Sequence, residues 1–332
     1  MLVERSYLTA TMQLHNDGLD YGKQVPDLSI VIVNWNTCNL LERCLASVWK
    51  DMSIANGLQV EMFVVDNAST DESVPLVRAR FPQVKLIENQ ENRGFARANN
   101  QAIQASQGRY VLLLNPDTEV RPNALGTLIQ FMDTHPEAGA AGSRLLNPDG
   151  TLQHSAHPLP TLLREFWRLF HLDALWSYSC YRMDEWDEKE PIEVEAVMGA
   201  CLILRREALR QVGLLDESYF IYSEEVDLCY RLHQAGWRVY WVPQAVVMHY
   251  GGQSTRQMAG EMFIRLYQGK LFYFRKHYGR GTFQVYKLLL LLASLARLCI
   301  SPLAWLERSP ERQRHLTLAN YYSRLIRSLP KL

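Results

Sequence analysis

The sequence predicts an α/β fold, a doubly wound and mostly parallel sheet with a helical tail, and three observations carry that expectation. Short apolar runs alternate with helical patterns in the first part of the chain, the rhythm of a parallel sheet with crossover helices. Each of these runs ends in Asn or Asp, the polar residues expected at a ligand-binding strand edge. The run Tyr110–Leu114 stops at Asn115-Pro116-Asp117-Thr118. Pro116 cannot continue a central ladder, so the chain must leave the sheet there and present Asp117 at its carboxyl edge. Asp117 reads there either as a carboxylate that holds a divalent cation and, through it, a diphosphate, or as the cap of a helix near Pro122.

Residues up to about Pro26 read as a polar extension. Leu28–Val33 is a β-branched strand; Asn34-Trp35-Asn36-Thr37 ends it and caps a helix patterned by Leu40, Leu41, Leu45 and Val48. Val60–Val65 is the second strand, closed by Asp66-Asn67-Ala68-Ser69-Thr70-Asp71, and Val84–Ile87 the third. Asp66 is placed to accept from a ribose or base; Ser69 and Thr70 read as turn and cap residues. Asn92-Arg93-Gly94-Phe95 opens the helix that leads to Tyr110. From Leu145 to Pro191 the rhythm loosens, and Trp167, Trp176, Tyr178, Tyr181 and Trp186 read as an acceptor lining or as a local cluster under a long loop. His154 and His157 lack a third ligand at fixed spacing and do not make a metal site. Val194–Arg205 reads as one buried strand containing a glycine. On the helix that ends at Gly236, Glu224, Asp227 and Arg231 share a face and Glu225 is turned about 100° from them. One acid can therefore pair with Arg231 while another faces a cleft. His249 ends the strand that follows.

With 332 residues, 48% of them hydrophobic, the chain suits one α/β domain plus a tail. The formal net charge is zero, which disfavours a nucleic-acid partner. No strand is followed by G-x-G-x-x-G or by a phosphate-loop motif, against a dehydrogenase or a phosphate-loop nucleotidase. The scattered Cys38, Cys44, Cys180, Cys201, Cys229 and Cys299 read as reduced core thiols in a cytoplasmic protein. After Tyr250 the chain is basic and apolar. The run Leu288–Leu306, with Arg297 at its middle and Pro302 within it, suits an in-plane or re-entrant helix on an anionic membrane surface, or a buried helix pair or dimer contact.

The ordered set SIVIVNWN, VVDNASTD, NRGFARANN, LLLNPD, MGACLILRRE, FIYSEEVDLCYRLHQAGW and HYGGQST resembles the family 2 inverting glycosyltransferases, especially their bacterial rhamnosyltransferase-like branch. The resemblance implies a Rossmann-like GT-A domain over residues 27–255, its nucleotide-sugar half at about 27–120 and its acceptor half at about 121–255, with the tail at 256–332. It implies that Asp66 contacts the base, with Val33, Asn34, Asn36, Asn67, Arg93, Gly94 and Asn99 around the nucleotide. Asp117 and His249 would hold Mg2+ or Mn2+ and the diphosphate, with Asn115 standing where many members carry an additional Asp. Glu225 falls at the catalytic base, where the family usually has Asp, flanked by Glu224 and Asp227. Met198, Gly199 and Trp237 would meet the sugar and acceptor, with Met198, Cys201 or Trp237 as an apolar wall for a deoxysugar. The implied donor is dTDP-L-rhamnose and the implied acceptor a glycan or lipid-linked glycan of surface polysaccharide, handled at the inner face of the cell membrane. A UDP-hexose donor, a sugar-phosphate nucleotidyltransferase and an inactive nucleotide-sugar binder remain as alternatives.

Overall fold

The computed structural model describes residues 25–54, 57–253, 257–302 and 309–332; the expected polar extension lies almost wholly outside them. Strands β1 (Leu28–Asn34), β2 (Val60–Asp66), β3 (Lys85–Glu88) and β4 (Tyr110–Leu114) alternate with helices α1 (Cys38–Ile54), α2 (Ser73–Arg80) and α3 (Phe95–Ala105). All three pairings among these strands are parallel, in the order β3-β2-β1-β4. β1 is buried along its whole length, as is β4, because helices cover both faces of the sheet.

Beyond β4 the sheet becomes mixed. The chain adds β5 (Thr118–Val120), α4 (Ala124–Thr134), β6 (Ala138–Leu146), β7 (Leu152–Gln153), β8 (Ala156–His157), α5 (Leu162–Leu169), β9 (Ile192–Glu193), β10 (Ala196–Val197), β11 (Cys201–Arg205), α6 (Arg206–Val212), α7 (Glu224–Gln234) and β12 (Arg238–His249). The sheet continues β4-β11-β6-β12-β5, with β11 antiparallel to both neighbours. The stretch Val194–Arg205, expected as one strand, is two: β10 and β11 are separated by Met198-Gly199-Ala200, where Met198 N donates to Ser155 O at 2.7 Å and Ala200 O accepts from Asn115 N at 2.9 Å. That break takes three residues out of the ladder at the strand edge, where only Met198 is partly exposed.

Two apolar cores lie on the two faces of the sheet, and a third belongs to the tail. Helices α8 (Ala259–Ile300) and α9 (Ser309–Ser328) follow β12, and α8 is broken at Gly279, whose φ of 84° and ψ of 178° are not helical. Much of the basic character of α8 turns inward. Lys270 Nζ lies 2.8 Å from the fully buried Glu165 of α5, which also holds Arg168 and the Tyr286 hydroxyl. Arg297 donates to Leu169 O at 2.9 Å and sits over the Tyr322 ring. Outward, Val285, Leu288, Leu292 and Leu295 are 44–54% exposed at spacings of three, four and three, one apolar stripe. Of the cysteines, Cys44, Cys201 and Cys229 are buried as expected, whereas Cys180 and Cys299 are exposed and Cys38 is half-buried. Both exposed cysteines lie outside the sheet, the first in the loop after α5 and the second near the end of α8.

Candidate active site

A cavity of about 660 Å³ opens at the carboxyl edge of the sheet. Its wall takes Val33 and Trp35 from the end of β1, Asn67 from the end of β2, Asn115 to Asp117 from the end of β4, and Met198 to Ala200 from the strand break. Glu224 and Glu225 from α7 and Glu261 and Met262 from α8 close it.

Asp117 and His249 meet in one corner because β5 and β12 pair there, with Thr118 opposite His249. Asp117 Oδ1 is 3.3 Å from His249 Nε2, and both side chains are nearly buried. On the other side of the ring, Nδ1 is 2.6 Å from Gln153 Oε1. A carbonyl oxygen only accepts, so Nδ1 donates to Gln153 and Nε2 is the ring nitrogen that faces the carboxylate. Asn115 Nδ2 stands 3.4 Å from the same nitrogen. Asp117 does not cap the helix that follows Pro122, whose N-cap is Asn123; its Oδ2 accepts from Gln253 N at 3.4 Å. Among the described residues no group of three or more His, Cys, Asp or Glu side chains could hold a metal ion. One carboxylate and one imidazole fit a hard divalent cation that takes its remaining ligands from a diphosphate and water.

The opposite wall is an acid pair. Tyr222 and Ser223 both have φ of 71°, and this left-handed pair, sterically costly for side chains with a Cβ, turns the chain sharply into α7 with Glu224 as its first residue. Phe220 O accepts from Phe95 N at 2.6 Å. Gly94 permits that approach, because a Cβ there would lie 2.5 Å from Phe220 O. From the other side α8 presses on the same loop through Gly269, where a Cβ would fall 2.7 Å from Tyr222 O. Burial, reinforced by the neighbouring Glu225 charge, pushes the Glu224 carboxyl well above its usual range. Burial also raises Glu225, but backbone N–H groups at the start of α7 and a hydrogen bond from Glu224 offset part of that. Both carboxyls are thus held above the ordinary glutamate range by burial, with each other as the nearest charge. One oxygen of each, Glu224 Oε2 and Glu225 Oε2, is buried without a protein partner.

Of the eight expected nucleotide residues, Val33, Asn67 and Gly94 line the cavity. Asn34, Asn36 and Asp66 form a hydrogen-bonded layer behind it. Asp66 accepts from Asn34 Nδ2 at 3.0 Å and from Ser69 N at 2.9 Å, and the Ser69 hydroxyl accepts from Asn36 N. Ser69 thus has the structural role expected of it. Arg93 and Asn99 are not on the wall. Arg93 gives its backbone N–H to Asn67 Oδ1, and Asn99 turns its amide back to Phe95 O. Of the sugar and acceptor residues, Met198 and Gly199 line the cavity and Trp237 does not. Trp237 precedes β12, whose other end is His249, so roughly 35 Å of strand separates them; its Nε1 donates to Gln211. Cys201 is buried in the sheet core and is likewise absent from the wall.

Asp227 also departs from its expected place. Burial works against its ionisation, yet hydrogen bonds from His277 and Lys276, with the Arg231 charge, bring its carboxyl down to about 2. His277 Nε2 and Lys276 Nζ each lie 2.7 Å away and Arg231 Nε 2.8 Å. The carboxylate anchors α8 to α7 and does not line the cavity. Sequence reasoning missed Gln153, Asn92, Phe220, Glu261 and Met262, all of which line it. The aromatic loop contributes none of its five named rings to the wall; Tyr181 instead packs on Trp186, and Trp186 on Trp241. His154 pairs with Asp184, and burial lowers His157 to about 4.

The family described as Glycosyl transferase family 2 matches residues 29–213. A Mycobacterium tuberculosis protein named N-acetylglucosaminyl-diphospho-decaprenol L-rhamnosyltransferase is 34% identical over 244 residues, 69% of this chain and 77% of its own. Rhamnosyltransferase WbbL of Escherichia coli is 26% identical over 51% of this chain and 66% of its own. Among solved structures, the mannosyltransferase of Pyrobaculum calidifontis in complex with GDP-Man and Mn2+ superposes with a TM-score of 0.54 at 18% identity, over 92% of this chain and 86% of that one. GalNAc-T7 with UDP, GalNAc and Mn2+ gives 0.51 at 19% identity, over 69% of this chain and 44% of that one.

Proposed function

The chain belongs to glycosyl transferase family 2 and has its GT-A fold, and from that premise we propose that it is an inverting transferase moving L-rhamnose from dTDP-L-rhamnose to a lipid-linked glycan in surface polysaccharide synthesis. The observation that carries the reading is the pairing, across one cavity, of the Asp117–His249 corner with a buried acid pair whose free oxygens have no protein partner. Val33, Trp35 and Asn67 shape the nucleotide end. Asp117 and His249 would hold Mg2+ or Mn2+, which when bound offsets the charge that develops on a leaving diphosphate. Glu225 Oε2 accepts the proton of the acceptor hydroxyl as that oxygen bonds to the anomeric carbon and the bond to the diphosphate breaks. Glu224, holding the pair's proton, keeps Glu225 ionised and oriented. The relative's name supports a lipid-linked diphosphate acceptor, and the apolar surface of Met198, Phe220 and Met262 supports a sugar without a 6-hydroxyl.

Donor hydrolysis measured with dTDP-rhamnose, UDP-glucose, UDP-galactose, UDP-N-acetylglucosamine and GDP-mannose at equal concentration should favour dTDP-rhamnose at least tenfold, about 1.4 kcal/mol. A tenfold preference for a UDP or GDP sugar refutes the rhamnose assignment and leaves the transferase intact.

Membrane attachment at the cytoplasmic face belongs to the same proposal. After Glu261 the only acidic residues in the sequence are Glu307 and Glu311, against a long series of Lys and Arg, and the stripe from Val285 to Leu295 faces outward. An apolar helix face with basic surroundings suits an anionic bilayer. Full-length protein should float with vesicles containing phosphatidylglycerol, and replacing Leu288, Leu292 and Leu295 by Ser should release most of it; equal flotation of both proteins would place the attachment elsewhere.

A further inference from the structure

We propose that a second cavity beside the first receives the diphosphate of the lipid-linked acceptor. It encloses about 290 Å³ and shares Phe220 and Ile221 with the donor cavity. Its far wall is the continuation of α8. Glu261 and Met262 face the first cavity, and Arg265, Gln268, Phe272 and Arg275 face the second. Met262 and Arg265 are about 4.5 Å apart along the helix axis, so the two cavities are separated by a single helical turn and one loop. That is the scale of a single sugar ring, the distance between a hydroxyl under attack and a diphosphate on the same sugar.

The charges in the second cavity point to an anion. Arg265, Arg275 and Lys331 line it, and no Asp or Glu side chain does. Arg265 lies over the Phe220 ring at 4.6 Å and pairs with Glu261 at 3.2 Å on the side of the first cavity. Among the described residues Arg275 and Lys331 form no ion pair, and the Gln268 amide has no protein partner. Two arginine forks, an ammonium and an amide donor match the acceptor oxygens of a diphosphate. The donor's own diphosphate is provided for elsewhere, at the Asp117–His249 corner. Phe283 also lines the second cavity, and the outward apolar stripe begins two residues later at Val285. The half of α8 that closes the cavity thus also carries the apolar stripe, about 200° round the helix from Phe283, and the choice of a lipid-borne diphosphate over a free one rests on the acceptor reading.

This inference rests on the reading of the acceptor as lipid-linked, and its test separates the two. Farnesyl diphosphate, inorganic diphosphate and dTDP are titrated into the full chain by calorimetry. Arg275→Glu combined with Lys331→Glu should weaken farnesyl diphosphate at least tenfold and leave dTDP affinity within about twofold, which also verifies folding. Asp117→Ala should show the reverse pattern in the presence of Mg2+. Farnesyl diphosphate binding that survives the charge reversal, or that is lost in Asp117→Ala instead, overturns the proposal. Inorganic diphosphate bound as tightly as the farnesyl compound overturns the lipid assignment. If the wild-type enzyme transfers sugar from no donor to any lipid diphosphate, the acceptor reading falls, while the binding data still decide what the cavity holds.

Discussion

Glu225→Gln is expected to lower kcat by about 10² to 10⁴ while dTDP affinity stays close to wild type. The substitution preserves shape and removes the acceptor of the hydroxyl proton. Glu224→Gln should cost less, about tenfold, because its amide still donates to Glu225 and only the charge balance of the pair changes. In the wild type the acid limb of kcat should lie above the usual glutamate range near about 4.3, since burial raises both carboxyls, and it should vanish in Glu225→Gln. Stability follows the same linkage. The folded chain binds the Glu224 proton more tightly than the unfolded chain, so this contribution is fully present below the ordinary glutamate pKa and is lost as pH rises through the folded value. Glu224→Gln should therefore melt above the wild type in the alkaline range. Single-turnover rates and thermal melts across pH check both statements; a Glu224→Gln enzyme with the larger kcat loss would move the base to Glu224.

Asp117→Ala should leave no measurable turnover and abolish the part of nucleotide affinity that depends on Mg2+ or Mn2+. Among the described residues the carboxylate is the only anionic side chain in its corner, 3.3 Å from His249, so no neighbour replaces it. Gln153→Ala is expected to be intermediate, about 10- to 100-fold in metal affinity, because the imidazole loses the 2.6 Å partner that fixes its tautomer. Metal titration monitored by nucleotide binding, followed by chelation, measures both effects. Unchanged wild-type activity in excess chelator would remove the metal from the mechanism.

The sheet and its edge were legible because each chemical residue there ends an apolar run. Asp117, His249, Val33 and Asn67 sit at such ends, Gly94 opens the helix α3, and the structure puts all five on one cavity wall. The helical spacing showed that one acid could pair with Arg231 and left open which; it is Asp227. What it concealed was the third element facing that pair: Lys276 and His277 come from fifty residues further on, and no local pattern announces such a contact. The same limit hid the role of α8. Its mixture of basic and apolar residues is what a membrane helix and a clamp on the catalytic loop both require, and only burial of Lys270, Gly269 and Met262 separates the two uses. Trp237 misled for the converse reason. It stands in a strongly patterned segment, but at the opposite end of a long strand from the chemistry.

The strand order contains a constraint on distance. β4 and β5 are joined by Asn115, Pro116 and Asp117 alone, yet three strands, β11, β6 and β12, separate them in the sheet. Four ladder spacings on a flat sheet amount to about 19 Å, whereas the four chain steps from Leu114 to Thr118 reach at most about 14 Å. The sheet has to curl back over its own edge, and β12 does so where its register with β6 slips between Val242 and Val246, the bend a bulge produces. The shortness of the linker is thus what draws the last turn of β12 over the end of β4 and sets His249 against Asp117. An inserted residue there would relax the curl and separate the two side chains without altering either, so linker length specifies the Asp117–His249 corner as surely as the side chains do.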